Sequence, residues 1–293
     1  MQSGFQTHTW QVDGLALVAR DYPPLVDAER LPVVCLHGLT RNSKDFNTLA
    51  RWLAARGHRV IVPDIRGRGR SDFDPEPMRY LPQTYVGDIA ALLDTLGIGR
   101  AFFIGTSMGG IITMGLAALR PSLVAAAVLN DVGPEAAPEG LARIAAYAGK
   151  PAMIDSWDDA CRYLRQINRG VYPGFDEADW QALARRTFAQ DAAGNPRFDY
   201  DPAIAVPIQA GKLKADPDIA WVLFDALCRE RPVLLVRGAL SDIVSEDIAA
   251  RMQARAPSLQ IVQVPGVGHA PLLDEPAATA ALDAFLETLD TTR

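Results

Sequence analysis

The sequence predicts an α/β fold: a mostly parallel sheet flanked by helices, with an inserted helical cap subdomain. Short apolar runs alternate with helical patterns toward both ends of the chain, which is typical of βαβ units. Runs such as VVCLHG and VLLVRG lack regular polar alternation, as expected for parallel strands covered on both faces. Between about Gly133 and Arg231 the alternation of strands and helices stops, and aromatic residues recur in a mostly helical pattern.

Each element is predicted from a local pattern of apolar residues. The predicted strands are Leu15–Ala19, Val33–Leu36, Val60–Val62, Ala101–Ile104, Val124–Leu129, Val233–Val236 and Ile261–Val264. The predicted helices are Lys44–Ala55, Tyr85–Leu96, Met108–Leu119, Glu246–Ala256 and Pro276–Leu289. We therefore expect an α/β core in residues 1–133 and 232–293 and a helical cap insertion in residues 134–231. A chain of 293 residues is long enough to bury such a core.

Composition and charge exclude several classes of protein. The chain has 29 Lys and Arg against 35 Asp and Glu, a net charge of −6, and 49% of its residues are hydrophobic. This composition is ordinary for a globular protein and too apolar for intrinsic disorder. Because the chain lacks a basic field, neither nucleic acid nor a membrane surface is expected as a partner.

Cysteine usage and the N-terminus bear on location. The three cysteines, Cys35, Cys161 and Cys228, are an odd number without a Cys-x-x-Cys motif, which favours a reducing compartment and predicts no zinc or other metal site. The first residues, MQSGFQTHTWQVDG, show no cationic start followed by an apolar run. These features predict a cytoplasmic protein.

One long uncharged stretch, Ala101–Leu119, resembles a membrane span in hydropathy. Gly105, Ser107, Gly109 and Gly110 lie in its middle and divide it into a β-type and a helix-type run. The sequence therefore predicts a buried strand that turns sharply into a buried helix.

That sharp turn carries the first candidate for chemistry. Residues 105–109 read Gly-Thr-Ser-Met-Gly and match the nucleophile elbow G-x-S-x-G, with an apolar strand before it and a helix pattern after it. A strained turn of this kind exposes the serine, and side chains in place of the glycines would crowd the backbone. We predict that Ser107 is a nucleophile and that the backbone N–H of Met108 stabilises an oxyanion, helped by the helix N-terminus.

A serine nucleophile needs a base, and the chain has four histidines. His8 lies in a polar N-terminal stretch and His58 in a turn, so both are expected to be structural or exposed. His37 comes before the serine, at a strand end. His269 follows the last predicted strand on the glycine-rich segment PGVGHAP, from which an imidazole can reach over the sheet edge. His269 is therefore the predicted base.

The base should be oriented by a carboxylate at the C-terminal end of a strand. Asp242 follows the strand at Val233–Val236 and gives the chain order Ser, Asp, His. Asp131, which follows the strand at Val124–Leu129, is the alternative, since either strand end can present a carboxylate to His269. We predict Asp242 as the acid and a structural role for Asp131 in the loop that leads to the insertion.

Taken together, these residues resemble the α/β-hydrolase family over essentially the whole chain outside the insertion. The resemblance includes the segment His-Gly-Leu-Thr at residues 37–40, where it implies that the backbone N–H of Leu39 is a second oxyanion donor. It also includes Asp64–Asp72, DIRGRGRSD, which the resemblance makes a structural loop bordering the site. An alternative interpretation of its arginines as an RNA-binding repeat is disfavoured by the missing aromatic platforms and the negative net charge.

The resemblance implies two-step acyl transfer on an ester, lactone or thioester, with no metal and no organic cofactor. Serine at position 107 disfavours the dehalogenases and epoxide hydrolases of this fold, which carry aspartate there. The oxyanion loop lacks the Gly-Pro-Gly of many hydrolases of aromatic ring-cleavage products, which weakens that alternative without removing it. Cofactor-free perhydrolysis and a ligand-binding receptor on the same fold are further alternatives.

The substrate is not predicted beyond its class. The aromatic and aliphatic residues of the insertion indicate an apolar pocket for a small or medium acyl substrate, and a homo-oligomer is left open. Arg162, Arg165 and Arg169 recur at helical spacing and offer charges for a substrate carboxylate. Asp158 lies four residues before Arg162, so a solvated helix face with ion pairs is the preferred interpretation.

Overall fold

An eight-stranded sheet organises the protein, seen here in a computed structural model that describes residues 4–150, 152–212 and 216–291. The described strands are β1 (Gln6–Val12), β2 (Leu15–Tyr22), β3 (Val33–Leu36), β4 (Val60–Asp64), β5 (Ala101–Thr106), β6 (Val124–Asn130), β7 (Phe188–Gln190), β8 (Pro196–Phe198), β9 (Val233–Gly238) and β10 (Gln260–Val264). The main sheet has the order β1-β2-β4-β3-β5-β6-β9-β10. Strands β1, β2 and β4 pair antiparallel, and all the following pairs are parallel.

Helices connect the parallel strands and cover both faces of the sheet. The described α-helices are α1 (Asn47–Ala55), α2 (Pro82–Thr95), α3 (Met108–Leu119), α4 (Pro138–Tyr147), α5 (Trp157–Ile167), α6 (Glu177–Thr187), α7 (Val206–Gln209), α8 (Pro217–Cys228), α9 (Glu246–Arg255) and α10 (Pro276–Thr291). This arrangement confirms the predicted α/β fold with a mostly parallel sheet.

Successive residues of a strand point to opposite faces, so each central strand feeds two apolar cores. In β3, Val34 and Leu36 join one buried cluster, whereas Val33 and Cys35 join the other. The first cluster is completed by residues of α2, α3, α8 and α9, and the second by residues of α1, α10 and the insertion. Strands covered in this way must be apolar throughout, which is why their sequences show no alternation.

The long uncharged stretch divides as predicted, into β5 and α3. Strand β1 was not predicted, because its sequence QTHTWQV is largely polar and exposed at the sheet edge. The pattern beginning at Lys44 starts as a 3-10 turn, Ser43–Phe46, before α1 begins. No helix in the described part of the chain combines the length and apolar character needed to cross a membrane.

Between β6 and β9 the chain forms helices α4 to α8 and the short β7–β8 hairpin. The hairpin was not predicted, since each of its strands has three residues. Helix α8 buries Phe224 and Leu227 in the core cluster that contains α3, although it lies within the range predicted for the cap. The boundaries 134–231 stay a prediction; they also include residues 151 and 213–215, which lie outside the described residues.

Candidate active site

Ser107 lies in the sharp turn between β5 and α3. Its φ of 51° is in the left-handed region, which costs energy in a residue other than glycine. A Cβ on Gly105 would lie 2.5 Å from backbone atoms of Gly109, and a Cβ on Gly109 would overlap the Leu36 carbonyl. The turn therefore requires both glycines and presents Ser107 above the carboxyl end of the sheet.

A chain of hydrogen bonds runs from Ser107 through His269 to a carboxylate. The Oγ of Ser107 is 3.1 Å from Nε2 of His269. Nδ1 of the same ring is 2.8 Å from Oδ2 of Asp131. The His269 side chain is 8% exposed and that of Asp131 is fully buried, whereas Ser107 is half-buried and lines the cavity. The structure thus brings Ser107 and His269 together as the sequence predicts.

The carboxylate in contact with His269 is not the predicted one. Asp242 instead accepts hydrogen bonds at 2.6 and 2.7 Å from Nε and Nη2 of Arg143, which lies on α4. Burial would raise the pKa of Asp242, but the hydrogen bonds and charge of Arg143, with a smaller contribution from His269, hold it below its usual range. The predicted Asp242–His269 pair is therefore corrected to Asp131–His269.

Asp131 reaches the imidazole because its backbone and side chain are held across two strand ends. Its φ is 53°, and its N–H donates to the Val236 carbonyl at 2.8 Å. Oδ1 of Asp131 accepts from the N–H of Gly238 at 3.0 Å. The Ser107 N–H donates to the carbonyl of Asn130, the residue before Asp131, at 3.0 Å. These bonds link the ends of β5, β6 and β9.

Ser241 supports the same carboxylate, and sequence reasoning missed it. Its Oγ lies 2.6 Å from Oδ2 of Asp131. The same Oγ accepts backbone N–H groups from Ile243 at 3.1 Å and Val244 at 3.0 Å, so its own hydrogen is directed to Asp131. Ser241 immediately precedes Asp242. The only signal in the sequence was its place in the loop after β9, where the acid itself was expected.

The two predicted oxyanion donors lie beside Ser107. A Cβ on Gly38 would lie 3.8 Å from the Cβ of Ser107, which places the loop containing Leu39 next to the serine. Within the described residues, neither the Leu39 N–H nor the Met108 N–H donates to another protein group. Arg68 contacts both residues. Its Nε donates to the Leu39 carbonyl at 2.9 Å, and its Nη2 is 3.7 Å from the Met108 sulfur.

Most of the arginine-containing loop at residues 64–72 is buried, although Arg70 is exposed. Arg66 and Arg68 are 0% exposed, and Arg66 is bonded to Asp74 and Asp88 at 2.5 and 2.6 Å. Buried guanidinium groups with such partners cannot contact a phosphate backbone. The loop's position beneath the oxyanion residues agrees with the structural role expected for it.

The other histidines have structural contacts. His37 is fully buried; its Nδ1 lies 2.8 Å from the Gly38 carbonyl and its Nε2 accepts from the Ile65 N–H at 3.0 Å. His8 pairs with Asp21, and Nδ1 of His58 lies 2.8 Å from the Leu31 carbonyl. None of these three rings contacts Ser107 in the described hydrogen bonds.

A cavity of about 100 Å³ opens above the serine. Its walls come from the oxyanion loop, the turn at Ser107, the insertion and the His269 loop, and they combine apolar and polar groups: Gly38, Leu39, Thr40, Arg41, Asp45, Phe46, Thr106, Ser107, Ile144, Tyr147, Asn168, Tyr172, Leu183, His269, Ala270, Pro271, Leu272 and Leu273. Burial raises the pKa of Tyr147 and Tyr172, so both phenols remain neutral. Arg162, Arg165 and Arg169 lie outside this lining, and Arg162 is 74% exposed.

Polar contacts fasten the insertion over the cavity. Nδ2 of Asn42 donates to the Arg186 carbonyl at 3.1 Å, and Lys44 pairs with Asp199 at 2.9 Å. The Tyr172 hydroxyl donates to the carbonyl of Ala270, beside His269, at 2.7 Å. The same part of the chain therefore closes the cavity and holds the histidine loop.

In the described residues, no group of three or more His, Cys, Asp or Glu side chains is arranged to hold a metal ion. The chemistry that the site can perform follows from its own groups: a serine hydroxyl, an imidazole, a buried carboxylate and two unpaired N–H donors. That set can remove a proton from the serine, stabilise an anion on an attacked carbonyl and return the proton to a leaving group.

Known proteins are similar to this chain over nearly its whole length. A family profile described as "alpha/beta hydrolase fold" matches residues 32–276. The chain is 38% identical to the 3-hydroxybutyrate-oligomer hydrolase of Cupriavidus necator, covering 86% of this chain and 87% of that protein. It is 31% identical to the 2-(acetamidomethylene)succinate hydrolase of Mesorhizobium japonicum, covering 87% and 86%. A crystal structure of an alpha/beta hydrolase from Novosphingobium aromaticivorans superposes with a TM-score of 0.90 at 46% identity, covering 98% of this chain and 99% of that one.

Proposed function

The chain belongs to the α/β-hydrolase family and is an enzyme of the hydrolase class, and from this premise we propose that it cleaves a carboxylic ester, lactone or similar acyl substrate through an acyl-enzyme on Ser107. The observation that carries the proposal is the continuous Ser107–His269–Asp131 hydrogen-bond chain, with links of 3.1 and 2.8 Å. A base in contact with the hydroxyl makes serine a competent nucleophile.

In the first step, Nε2 of His269 takes the hydroxyl proton while Oγ of Ser107 attacks the substrate carbonyl. The carbonyl oxygen becomes an oxyanion, and the N–H groups of Leu39 and Met108 stabilise it, aided by the N-terminus of α3. Asp131, hydrogen-bonded to Nδ1, orients the ring and stabilises the imidazolium that forms. His269 then gives the proton to the leaving alcohol, and the acyl group stays on Ser107.

In the second step, water takes the place of the alcohol. Nε2 of His269 removes a proton from the water as the water attacks the acyl carbon, and the same two N–H donors stabilise the second oxyanion. Collapse of this intermediate returns the proton to Ser107 and releases a carboxylic acid. The sequence of steps needs only protein groups and water.

The similarity to a 3-hydroxybutyrate-oligomer hydrolase supports a short-chain oligoester as the substrate. The cavity of about 100 Å³ also favours a small group beside the reacting carbonyl, since a cavity of about 150 Å³ already holds a benzene ring. We therefore propose esters of acids with about four carbons. A small-molecule acyl substrate is the proposed partner.

We also propose a cytoplasmic location, supported by the three free thiols Cys35, Cys161 and Cys228. The net charge of −6 supports the proposal that nucleic acid and membrane lipids are not partners.

A fluorophosphonate probe tests the nucleophile directly. An activated serine beside two oxyanion donors should trap tetrahedral phosphorus as it traps an acyl carbon. Intact-mass analysis should show one adduct, located on Ser107 by peptide mapping, and the adduct should be missing in Ser107→Ala. The matched control is Ser258→Ala, an exposed serine outside the cavity lining, which should label like wild type. Labelling at another residue, or no labelling of the folded protein, would contradict the assignment.

The reaction class is tested with a substrate panel. Wild type should hydrolyse p-nitrophenyl butyrate and a 3-hydroxybutyrate dimer, and Ser107→Ala should not. Ring-cleavage products cleaved faster than these esters would favour the C–C hydrolase alternative. Peracid formed from peroxide and a short acid faster than the esters are hydrolysed would favour the perhydrolase.

A further inference from the structure

Arg41 is a cationic side chain in the cavity that contains Ser107. A Cβ on Gly38 would lie 3.5 Å from Cγ of Arg41 and 3.8 Å from Cβ of Ser107, so the stems of the two side chains flank the same glycine. Among the described residues that line the cavity, Arg41 is the only lysine or arginine, and its partner Asp45 lines the cavity with it. A guanidinium that keeps its charge at all working pH values thus lies beside the reacting serine, as one half of an ion pair.

The guanidinium of Arg41 is held in one orientation. Asp45, four residues further along, accepts from Nε at 2.8 Å and from Nη2 at 2.5 Å. Nη1 donates to the hydroxyl of Thr187, at the end of α6. These contacts use three of the five N–H donors of an arginine. One N–H on each terminal nitrogen has no partner among the described residues.

Arg143 and Arg186 are likewise paired with aspartates, Asp242 and Asp274, but neither lines the cavity. The position of Arg41 in the cavity is what distinguishes it from them. Both oxygens of Asp45 are engaged on one side of the Arg41 guanidinium, so its remaining N–H groups are directed away from that carboxylate. A fixed guanidinium with open N–H donors is suited to a carboxylate ligand.

We propose that Arg41 binds a free carboxylate of the substrate, so that the enzyme selects esters of short hydroxy acids that retain an ionised acid end. The proposal rests on the ester hydrolysis proposed above, and it specifies in addition that the substrate is negatively charged. A linear oligoester of a hydroxy acid has such a carboxylate at one end, a few bonds from the nearest ester carbonyl. Arg41 and Ser107 line the same cavity, so a substrate with only a few carbons between its carboxylate and its ester carbonyl suits the two groups.

Two pairs of esters test the proposal. In the first pair the carboxylate is on the alcohol: O-butyryl-3-hydroxybutyrate as the free acid is compared with its methyl ester. In the second pair it is on the acyl group: p-nitrophenyl hydrogen succinate is compared with p-nitrophenyl butyrate. The measured quantity is the ratio of kcat/KM for the charged ester to that for the neutral ester. The two pairs distinguish which side of the scissile bond faces Arg41.

Wild type should prefer the charged ester in one pair by about 10–100-fold, as expected for a charge-assisted hydrogen bond. Arg41→Gln should reduce that ratio to about 1. Arg41→Lys should retain part of the preference, because lysine keeps the positive charge but lacks the planar set of N–H donors of a guanidinium. The matched control is Arg186→Gln, an Asp-paired arginine next to Thr187 and outside the cavity lining. It should keep the wild-type ratio.

A ratio near 1 for wild type in both pairs, or a preference that survives Arg41→Gln, would overturn the role of Arg41. If Arg186→Gln also loses the preference, the role of Arg41 is overturned, because the selectivity would then come from the summed electrostatic potential of the protein and not from one contact. Circular dichroism and the rate of fluorophosphonate labelling show whether each variant keeps its fold and its site. If wild type hydrolyses none of the four esters and takes no label, it is the proposed function that fails.

Discussion

At the scale of single residues, the candidate site depends on two side chains held on strained backbone. Ser107 and Asp131 have φ values of 51° and 53°, and both directly follow neighbouring parallel strands. Such conformations persist where surrounding contacts impose them. Here a hydrogen bond from the Ser107 N–H to the Asn130 carbonyl joins the two turns. These backbone conformations direct both side chains to the same histidine, His269.

Asp131→Asn and Asp242→Asn separate the two candidate acids. An amide at position 131 cannot stabilise an imidazolium and can hold the ring in the wrong tautomer, so kcat should fall by up to about 10⁴-fold. Asp242→Asn should keep kcat within about 3-fold of wild type, since a bond to Arg143 is not part of the hydrogen-bond chain. Steady-state kinetics on p-nitrophenyl butyrate, with thermal melts of both variants, measures this. The reverse ranking in folded proteins would return the acid to Asp242.

At the scale of elements, the turn between β5 and α3 is determined by backbone contact. Helix α3 begins at Met108, and its second residue, Gly109, lies against the carbonyl of Leu36 at the end of β3. No side chain fits between the helix and that strand. The close approach brings the N-terminus of α3 and the loop after β3 to the same point, where the two oxyanion donors lie.

Two helix glycines should respond to alanine in opposite directions. Gly109→Ala forces a Cβ into the Leu36 carbonyl and should lower the free energy of unfolding by at least about 2 kcal/mol. Gly87 is an exposed residue of α2 with nothing within 4 Å of an added Cβ. Gly87→Ala should raise the free energy of unfolding by about 0.5–1 kcal/mol, because alanine loses less conformational freedom in a helix.

Urea denaturation of both glycine variants beside wild type measures the difference. Equal destabilisation by the two substitutions would contradict the close approach described for Gly109. If Gly109→Ala left the free energy of unfolding unchanged, the turn would be able to widen without loss of stability.

At the scale of the whole molecule, sheet, helices and insertion meet around the loop that holds His269. Glu275 ends this loop and precedes α10; its Oε1 accepts from the Leu272 N–H at 2.7 Å. The other oxygen, Oε2, is buried, and no described group donates to it. Burial raises the pKa of Glu275 above its ordinary value. The ionised carboxylate therefore costs the folded protein stability at neutral pH.

Glu275→Gln should raise the free energy of unfolding by about 1 kcal/mol at pH 7, since the amide keeps an acceptor for Leu272 and removes the buried charge. Because folding raises the pKa of Glu275, the cost is present where the group is ionised and vanishes once it is protonated in both states. The gain should thus disappear below about pH 4. Thermal melts from pH 3 to pH 8 measure it. Glu76→Gln, at an exposed site, should show no such dependence; a gain independent of pH would refute the explanation.

The sequence by itself determined every strand of the main sheet except β1, and two of the three residues in the hydrogen-bond chain. Apolar runs indicate these strands, and β3 to β6 and β9 are buried almost throughout, whereas β10 lies at an edge and is mostly exposed. Ser107 was identifiable because the glycines around it leave one type of turn available. His269 was identifiable because, of the four histidines, it alone lies on a glycine-rich loop after the last strand. Both identifications depend only on residues adjacent in the sequence, so they need no knowledge of the tertiary structure.

Only the tertiary structure decided which carboxylate contacts His269 and which arginine lies in the cavity. Asp131 and Asp242 both follow strands that end at the same sheet edge, so their position in the chain does not distinguish them. The direction of each side chain depends on partners distant in sequence: Gly238 and Ser241 hold Asp131, whereas Arg143 on α4 binds Asp242. Arg41 is held both by Asp45, four residues away, and by Thr187, 146 residues away. Hydrogen bonds between distant segments form only when the sheet and the insertion come together.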